Sequence, residues 1–139
     1  MFVDASAMLA ILLEEADGKL LADALERGTS PQKVTSVVAV WEAAVGLYRK
    51  KQIPMAEAEG RLRDFLTQAG VEVIPLSMVE LSAALLAFDR YGRHRYSDAE
   101  RNHALNLADC FHYACAKGRG LPILHKDQGV ALTDLPKVS

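Results

Sequence analysis

The sequence is 139 residues long, with 50% apolar and 24% charged residues. A chain of this size buries enough apolar surface to fold as one domain, residues 1–139, without a disulfide, and its composition excludes intrinsic disorder. Sixteen Lys and Arg against eighteen Asp and Glu give a formal charge of −2, which excludes a globally cationic nucleic-acid binder. Any affinity for a polyanion must therefore be local.

The cysteine spacing and the hydropathy pattern indicate a compartment. Cys110 and Cys115 lie five residues apart on one predicted helix, a spacing that suits neither a disulfide nor a thiolate zinc site, so we expect buried, reduced thiols. No apolar run approaches the ~20 residues of a membrane span, and the first residues lack the basic segment of a signal peptide. We therefore expect a soluble, cytoplasmic protein.

The first half of the chain alternates strands with helices. Its predicted order is strand 1–4, helix 6–15, helix 17–27, strand 33–36, helix 37–51 and helix 55–68. Along the helix at 37–51 apolar residues recur at spacings of three and four, which predicts one buried face. Gly28 and Gly70 end the second and fourth helices, because glycine is favoured just beyond a helix terminus.

The second half repeats this alternation. Its predicted order is strand 71–75, helix 77–91, helix 104–117 and strand 121–124, with weaker strands at 130–132 and 136–138. Ser77 and Glu80 form a predicted capping box, and the polar insert from Tyr91 to His103 is predicted to be a surface loop. Strands separated by helices need crossover connections, so the pattern predicts a three-layer α/β/α sandwich with a central, mostly parallel sheet.

Four acidic residues interrupt apolar surroundings near predicted strand ends or on buried helices: Asp4, Glu42, Asp109 and Asp127. Taken singly, each also fits a structural role: a helix N-cap, an ion pair with a base such as Arg49, a favourable helix-dipole position, and a turn residue, respectively. Taken together, they converge on the carboxyl edge of the sheet, where ligands of such folds bind.

Clustered carboxylates raise one another's pKa unless a cation offsets their charge, and oxygen ligands are those that Mg²⁺ and Mn²⁺ prefer. With no neighbouring base expected, the cluster predicts a metal site suited to phosphoryl-oxygen chemistry. We expect surface or hydrogen-bonded structural roles for the four histidines, although His112 and His125 are able to approach the acidic edge. The sequence contains no glycine-rich phosphate loop, G-x-S-x-G elbow or H-E-x-x-H motif.

Several segments, in this order, resemble the VapC toxins of the PIN-domain family over essentially the whole chain. They are Met1-Phe-Val-Asp-Ala-Ser6, Glu42 on its apolar helix, Leu105-Asn-Leu-Ala-Asp-Cys-Phe-His-Tyr-Ala114, Leu121-Pro-Ile-Leu-His-Lys126 and Thr133-Asp-Leu135. The resemblance implies a PIN-like fold and a Mg²⁺- or Mn²⁺-dependent endoribonuclease of a type II toxin–antitoxin pair. Such an enzyme cuts structured RNA such as transfer or ribosomal RNA and is silenced by a VapB-type antitoxin.

The resemblance also implies roles for residues. Asp4 and Asp109 match the principal metal ligands, Glu42 matches the helix-borne acid that binds metal or tunes the attacking water, and Ser6 matches a small polar residue that supports the first aspartate. The sequence departs from the family at Ala108, where many relatives have glycine, and in the turn Lys126-Asp-Gln-Gly-Val130, which differs from the usual G-[ND]-D-F. We assign Asp127 as the fourth acid, with Asp134 as the fallback.

Two surfaces suggest partners. A cationic rim for RNA is predicted at Arg93, His94, Arg95, Arg101, Lys117, Arg119 and Lys126. Surplus apolar residues on the first two helices predict a groove for an antitoxin helix, together with a homodimer contact: Met8, Leu9, Ile11, Leu12, Leu13, Leu20, Leu21 and Leu25. The alternatives are a non-catalytic protein-binding module that keeps the α/β/α shell, and a metal-dependent phosphatase.

Overall fold

The computed structural model describes residues 1–28, 32–126 and 133–136, and contains one sheet of four parallel strands. The strands are β1 (Phe2–Val3), β2 (Val34–Ser36), β3 (Glu72–Ile74) and β4 (Ile123–Leu124). Their order is β3-β2-β1-β4, and Phe2 of β1 pairs with Val34 on one side and with Ile123 on the other. The strand nearest the N-terminus is therefore central in the sheet.

Helices connect the strands and cover the sheet. They are α1 (Ala5–Leu12), α2 (Gly18–Arg27), α3 (Val37–Lys51), α4 (Met55–Ala69), α5 (Leu81–Tyr91) and α6 (Leu107–Gly118). From β1 through β2 to β3 the chain moves toward one edge of the sheet, and from β3 it returns past β1 to β4 at the other edge. Because crossovers between parallel strands are right-handed, this change of direction places α1 to α4 on one face and α5 and α6 on the opposite face. The predicted three-layer α/β/α sandwich with a parallel sheet is confirmed.

Several local predictions are corrected or fall outside the described residues. The last long helix begins at Leu107 rather than at residue 104, because Asn106 caps it. The polar insert forms two exposed 3-10 helices, Arg93–Arg95 and Asp98–His103, rather than an irregular loop. The predicted strand at 130–132 and all but the first residue of that at 136–138 lie outside the described residues.

Two predictions of local chemistry hold. Glu80 accepts a hydrogen bond from the backbone N–H of Ser77 at 2.8 Å, which completes the capping box in the short 3-10 helix Met78–Glu80 ahead of α5. Cys110 and Cys115 are free and buried, and burial raises the pKa of Cys115 to about 11. Over the described ranges, every helix is too short or too polar to cross a bilayer.

The core forms around β1, whose two residues are completely buried. Gly46 lets α1 approach α3 closely, since a Cβ at this position would lie 2.5 Å from a methyl carbon of Leu9. The predicted surplus of apolar surface on the first two helices is wrong, because most of these side chains pack in or against the core. Met8, Leu21 and Leu25 are buried, Leu9, Ile11, Leu12 and Leu13 are partly buried, and Leu20 alone of the eight is exposed.

Apolar surface is exposed on α5 and α6 instead. A groove of about 750 Å³ lies between these helices and is lined by residues that include Leu85, Phe88, Leu107 and Phe111; we call it the α5–α6 groove. Leu107 is 78% exposed and Leu85 59% exposed. Exposure of several neighbouring large apolar side chains is typical of a surface that contacts another protein.

Candidate functional site

The site lies where the strand order reverses. The chain leaves β1 toward β2, and it returns from β3 to β4 on the other side of β1. In parallel sheets of this kind, ligands bind outside the carboxyl ends of the strands at this reversal. Asp4 directly follows β1, and Lys126 stands two residues beyond β4.

Asp4 is buried at the N-terminus of α1, and Ser6 holds its carboxylate. One oxygen, Oδ2, accepts hydrogen bonds from the Ser6 backbone N–H at 3.1 Å and from Ser6 Oγ at 2.6 Å. Ser6 Oγ in turn accepts a hydrogen bond from the backbone N–H of Lys126 at 2.9 Å. Asp4 is thus the N-cap of α1, and Ser6 connects it to the chain leaving β4.

Glu42 lies one and a half turns into α3, and its partner comes from α6. Glu42 Oε1 is 2.7 Å from Nε2 of His112, whose side chain is fully buried. The same nitrogen is 3.8 Å from Asp4 Oδ1, and the ring packs on Phe2 of β1 with centroids 5.4 Å apart. The expected absence of a base beside the acids is therefore wrong: His112 lies among them.

Asp109 is placed by the first turn of α6. Its Oδ2 accepts a hydrogen bond from the Asn106 backbone N–H at 3.1 Å, while its own N–H donates to Asn106 Oδ1 at 2.8 Å. This reciprocal arrangement is a capping box, which fixes both the helix start and the carboxylate orientation. Because α6 runs antiparallel to the strands, its N-terminus lies at the edge of the sheet that carries Asp4.

The pKa of His112 reflects the acids on its own and neighbouring elements. Burial of the ring lowers the pKa of His112, but the hydrogen bond to Glu42 and the charges of Asp4, Glu42 and Asp109 outweigh burial and raise the pKa above its usual value. Residues that are 38 and 67 positions apart along the chain therefore act on one imidazole. Asp4 and Glu42 both approach Nε2 of His112, and the grouping of these two acids with Asp109 in one site stays a prediction.

The donor chemistry fits a hard divalent cation. Asp4, Glu42 and Asp109 offer carboxylate oxygens, the ligands that Mg²⁺ and Mn²⁺ prefer, and the first two approach Nε2 of His112. Within residues 1–28, 32–126 and 133–136, no three His, Cys, Asp or Glu side chains already form a group that could hold a metal ion. His112, fixed between Asp4 and Glu42, shares this space with the carboxylates.

Of the two candidates for the fourth acid, the structure describes Asp134. Asp127 lies outside the described residues. Asp134 accepts hydrogen bonds from Tyr113 Oη and Lys117 Nζ, both at 2.6 Å. The hydrogen bonds from Lys117 and then Tyr113 lower the pKa of Asp134, so this carboxylate is ionised and engaged by α6.

Most of the predicted cationic rim is already paired with acids. Five of its seven members form ion pairs: Arg95 with Asp89, Arg101 with Asp98, Lys117 with Asp134, Arg119 with Glu80 and Lys126 with Glu15. Arg93 forms no ion pair with any described residue, and it lines a cavity of about 290 Å³ next to Asn106, the cap of α6. The cation best placed for an external anion is therefore Arg93.

Comparison with known proteins identifies the family. A model of the PIN domain matches residues 1–135. The chain belongs to the PIN domain family. Among its relatives, a Ribonuclease VapC of Mycolicibacterium smegmatis is 34% identical over 139 residues, covering 99% of both chains, and Ribonuclease VapC30 of Mycobacterium tuberculosis is 29% identical over 140 residues.

Solved structures show the same fold. The chain resembles VapC20 of Mycobacterium tuberculosis, a toxin described as cleaving the sarcin-ricin loop, with a TM-score of 0.69 at 16% identity over 99% of this chain and 97% of that one. A toxin–antitoxin complex from Klebsiella pneumoniae matches with a TM-score of 0.56 at 20% identity, covering 88% of this chain and 82% of the other. The predicted resemblance to VapC toxins is confirmed.

Proposed function

We propose that this chain is a Mg²⁺- or Mn²⁺-dependent endoribonuclease toxin of a VapBC-like, type II toxin–antitoxin system, acting in the cytoplasm on structured RNA such as transfer or ribosomal RNA. Membership of the PIN domain family and full-length similarity to VapC ribonucleases support RNA hydrolysis. The observation that supports the metal-dependent mechanism is the approach of Asp4 and Glu42 to His112 Nε2, one turn after Asp109 on α6.

In this proposal, Asp4 and Asp109 are the principal metal ligands and Glu42 completes the set. The bound ion would polarise the scissile phosphate and activate water. Ser6 donates to Asp4 Oδ2, and the other oxygen, Oδ1, lies 3.8 Å from His112 Nε2. Asp109 is held by Asn106 in the same way, so two of the three carboxylates are oriented before any ligand arrives.

The fourth acid stays a proposal. We favour Asp127, which follows β4 by three residues in the sequence. Asp134 is the weaker choice, because its oxygens accept hydrogen bonds from Lys117 and Tyr113. To bind a metal ion, Asp134 would first have to break its hydrogen bonds with Lys117 and Tyr113. Leaving these two donors without an acceptor costs free energy.

The exposed apolar surface supports protein partners. Similarity to a toxin–antitoxin complex supports an antitoxin as one partner. We propose a homodimer as well, formed across the α5–α6 groove and the neighbouring exposed side chains Val37 and Trp41 of α3. The buried and half-buried apolar residues of α1 and α2 leave only Leu20 for such a contact, so these helices are the less suitable surface.

Single substitutions test the catalytic proposal. Asp4→Asn and Asp109→Asn remove a carboxylate charge but keep a side-chain acceptor at each helix cap, so we expect folding to be retained. Loss of several kcal/mol of metal-dependent stabilisation corresponds to a fall of about 10³-fold in RNA cleavage. The matched control is Asp64→Asn on the exposed side of α4, which should cleave RNA at the wild-type rate.

The assay follows cleavage of a folded RNA by purified protein with Mn²⁺ added. Undiminished cleavage by folded Asp4→Asn protein would reject these assignments. Turnover of small phosphomonoesters without RNA cleavage would instead identify a phosphatase, and activity on neither substrate would leave a protein-binding module as the function.

A further inference from the structure

His112 is a base that lies against the carboxylates of Asp4 and Glu42. Its side chain has no exposed surface, and its ring stacks on Phe2 in the central strand. Nε2 lies 2.7 Å from Glu42 Oε1, and no described residue forms a hydrogen bond with Nδ1. A buried imidazole with one unpartnered nitrogen is costly, so this placement is poorly explained by fold stability alone.

We propose that His112 is a positioning residue that holds the Glu42 carboxylate at the metal site through its Nε2–H. The inference rests on the proposed function, because it assigns Glu42 to the ligand set. It extends that function by giving the helix-borne acid a dedicated partner on a different element.

The reasons lie in the geometry of the two side chains. Glu42 has a long side chain, 28% exposed, and no donor on its own helix holds it. An ionised carboxylate only accepts hydrogen bonds, so Nε2 is the atom of His112 that carries the hydrogen. His112 stands three residues after Asp109 on α6, and it therefore fixes Glu42 relative to Asp109 as well as to Asp4.

Removing the hydrogen-bond partner of a proposed metal ligand is expected to change metal affinity more than it changes the stability of the fold. Removing the hydrogen-bond partner of a metal ligand typically lowers metal affinity by about 10- to 100-fold. His112→Leu fills a similar volume without a donor, and it also removes the unpartnered Nδ1. We expect this variant to bind Mn²⁺ about 10- to 100-fold more weakly, with a thermal unfolding midpoint close to that of the wild type, because losing the partner of Glu42 and removing the unpartnered Nδ1 have opposite effects on stability.

The experiment titrates Mn²⁺ into the full-length protein and measures binding by calorimetry and by the electron paramagnetic resonance signal of free Mn²⁺. His112→Gln places an amide N–H near the position of Nε2 and should recover most of the affinity, whereas His112→Asn places it near Nδ1 and should not. If the His112→Leu variant does not fold, the comparison of His112→Gln with His112→Asn still tests the role of the Nε2–H group. Asp64→Asn, on the exposed side of α4, is the control and should bind Mn²⁺ like the wild type.

A double-mutant cycle isolates the mechanism. If His112 acts through Glu42, adding His112→Leu to Glu42→Gln should cause no further loss of Mn²⁺ affinity. Equal affinities of the wild type and His112→Leu would overturn the inference, and so would an undiminished loss in the Glu42→Gln background. A wild-type protein that neither binds Mn²⁺ nor cleaves RNA would instead refute the proposed function itself.

Discussion

The hydroxyl of Ser6 links the residues that follow β1 and β4, and substituting Ser6 tests how much this link stabilises the fold. Its hydroxyl donates to Asp4 Oδ2 at 2.6 Å and accepts the Lys126 N–H at 2.9 Å, so one small group joins the ends of β1 and β4. Ser6→Ala removes both bonds. The buried Asp4 carboxylate then keeps the backbone N–H of residue 6 as a donor, which lies 3.1 Å from Oδ2 in the wild type.

The magnitude follows from these contacts. A hydrogen bond to a buried charged acceptor contributes about 1.5–3 kcal/mol. The retained backbone donor and the higher helix propensity of alanine in α1, worth about 0.5 kcal/mol, offset part of the loss. We therefore expect the free energy of unfolding to fall by about 1–2 kcal/mol, which with a urea slope near 2 kcal/mol per M lowers the midpoint by about 0.5–1 M.

The assay is urea unfolding followed by circular dichroism, with Ser82→Ala on the exposed face of α5 as the matched control. The control should stay within about 0.5 kcal/mol of the wild type. An unchanged midpoint for Ser6→Ala would show that the bridge between β1 and β4 does not stabilise the fold. A changed slope would point to an altered unfolded or native state rather than to the lost hydrogen bonds.

Three further predictions concern metal, pH and contact surfaces. Chelation of divalent ions by EDTA should abolish RNA cleavage, and adding Mn²⁺ should restore it. The circular dichroism spectrum should stay unchanged, because hydrogen bonds hold the site residues in place without a metal ion. A loss of secondary structure on adding EDTA would contradict this prediction. The Ser77 backbone N–H lowers the pKa of Glu80, so its stabilisation is present above the ordinary glutamate pKa and disappears as pH falls through the lowered value. Glu80→Ala should accordingly cost about 1 kcal/mol at pH 7 and little at pH 2 in chemical unfolding, and an equal cost at both values would refute the assignment. Fluorescence of Trp41, the single tryptophan and 65% exposed, should shift to shorter wavelength on dimerisation or antitoxin binding, and a constant spectrum would exclude this part of α3 from the contact.

The helices and strands can be predicted from the sequence because the patterns that determine them involve residues close together along the chain. The helix at Val37–Lys51 has the predicted bounds, since apolar periodicity and the cap Ser36 both act within a few residues. The start of α6 differs by three residues because the capping box of Asn106 and Asp109 outweighs the helix-forming residues before it. Burial on α1 and α2 was not readable, because it depends on how closely Gly46 lets α1 and α3 approach.

The candidate site was partly readable for the same reason. The cost of burying an unpaired carboxylate predicts that Glu42 needs a partner. The identity of that partner depends on a contact between residues 70 positions apart, and no local pattern distinguishes His112 from any other histidine on an apolar helix. Asp134 similarly resembles a free acid in the sequence, whereas the fold places it against Tyr113 and Lys117.

The position of β1 between β2 and β4 has a consequence for biosynthesis. Phe2 of β1 pairs with Ile123 of β4, so this part of the sheet forms only after the residues between the two strands have been synthesised. At about 5–20 residues per second, their synthesis takes about 6 to 24 s. Until α6 and β4 have been synthesised, Asp109 and one neighbouring strand of β1 are absent, so the proposed site cannot assemble before the end of this interval.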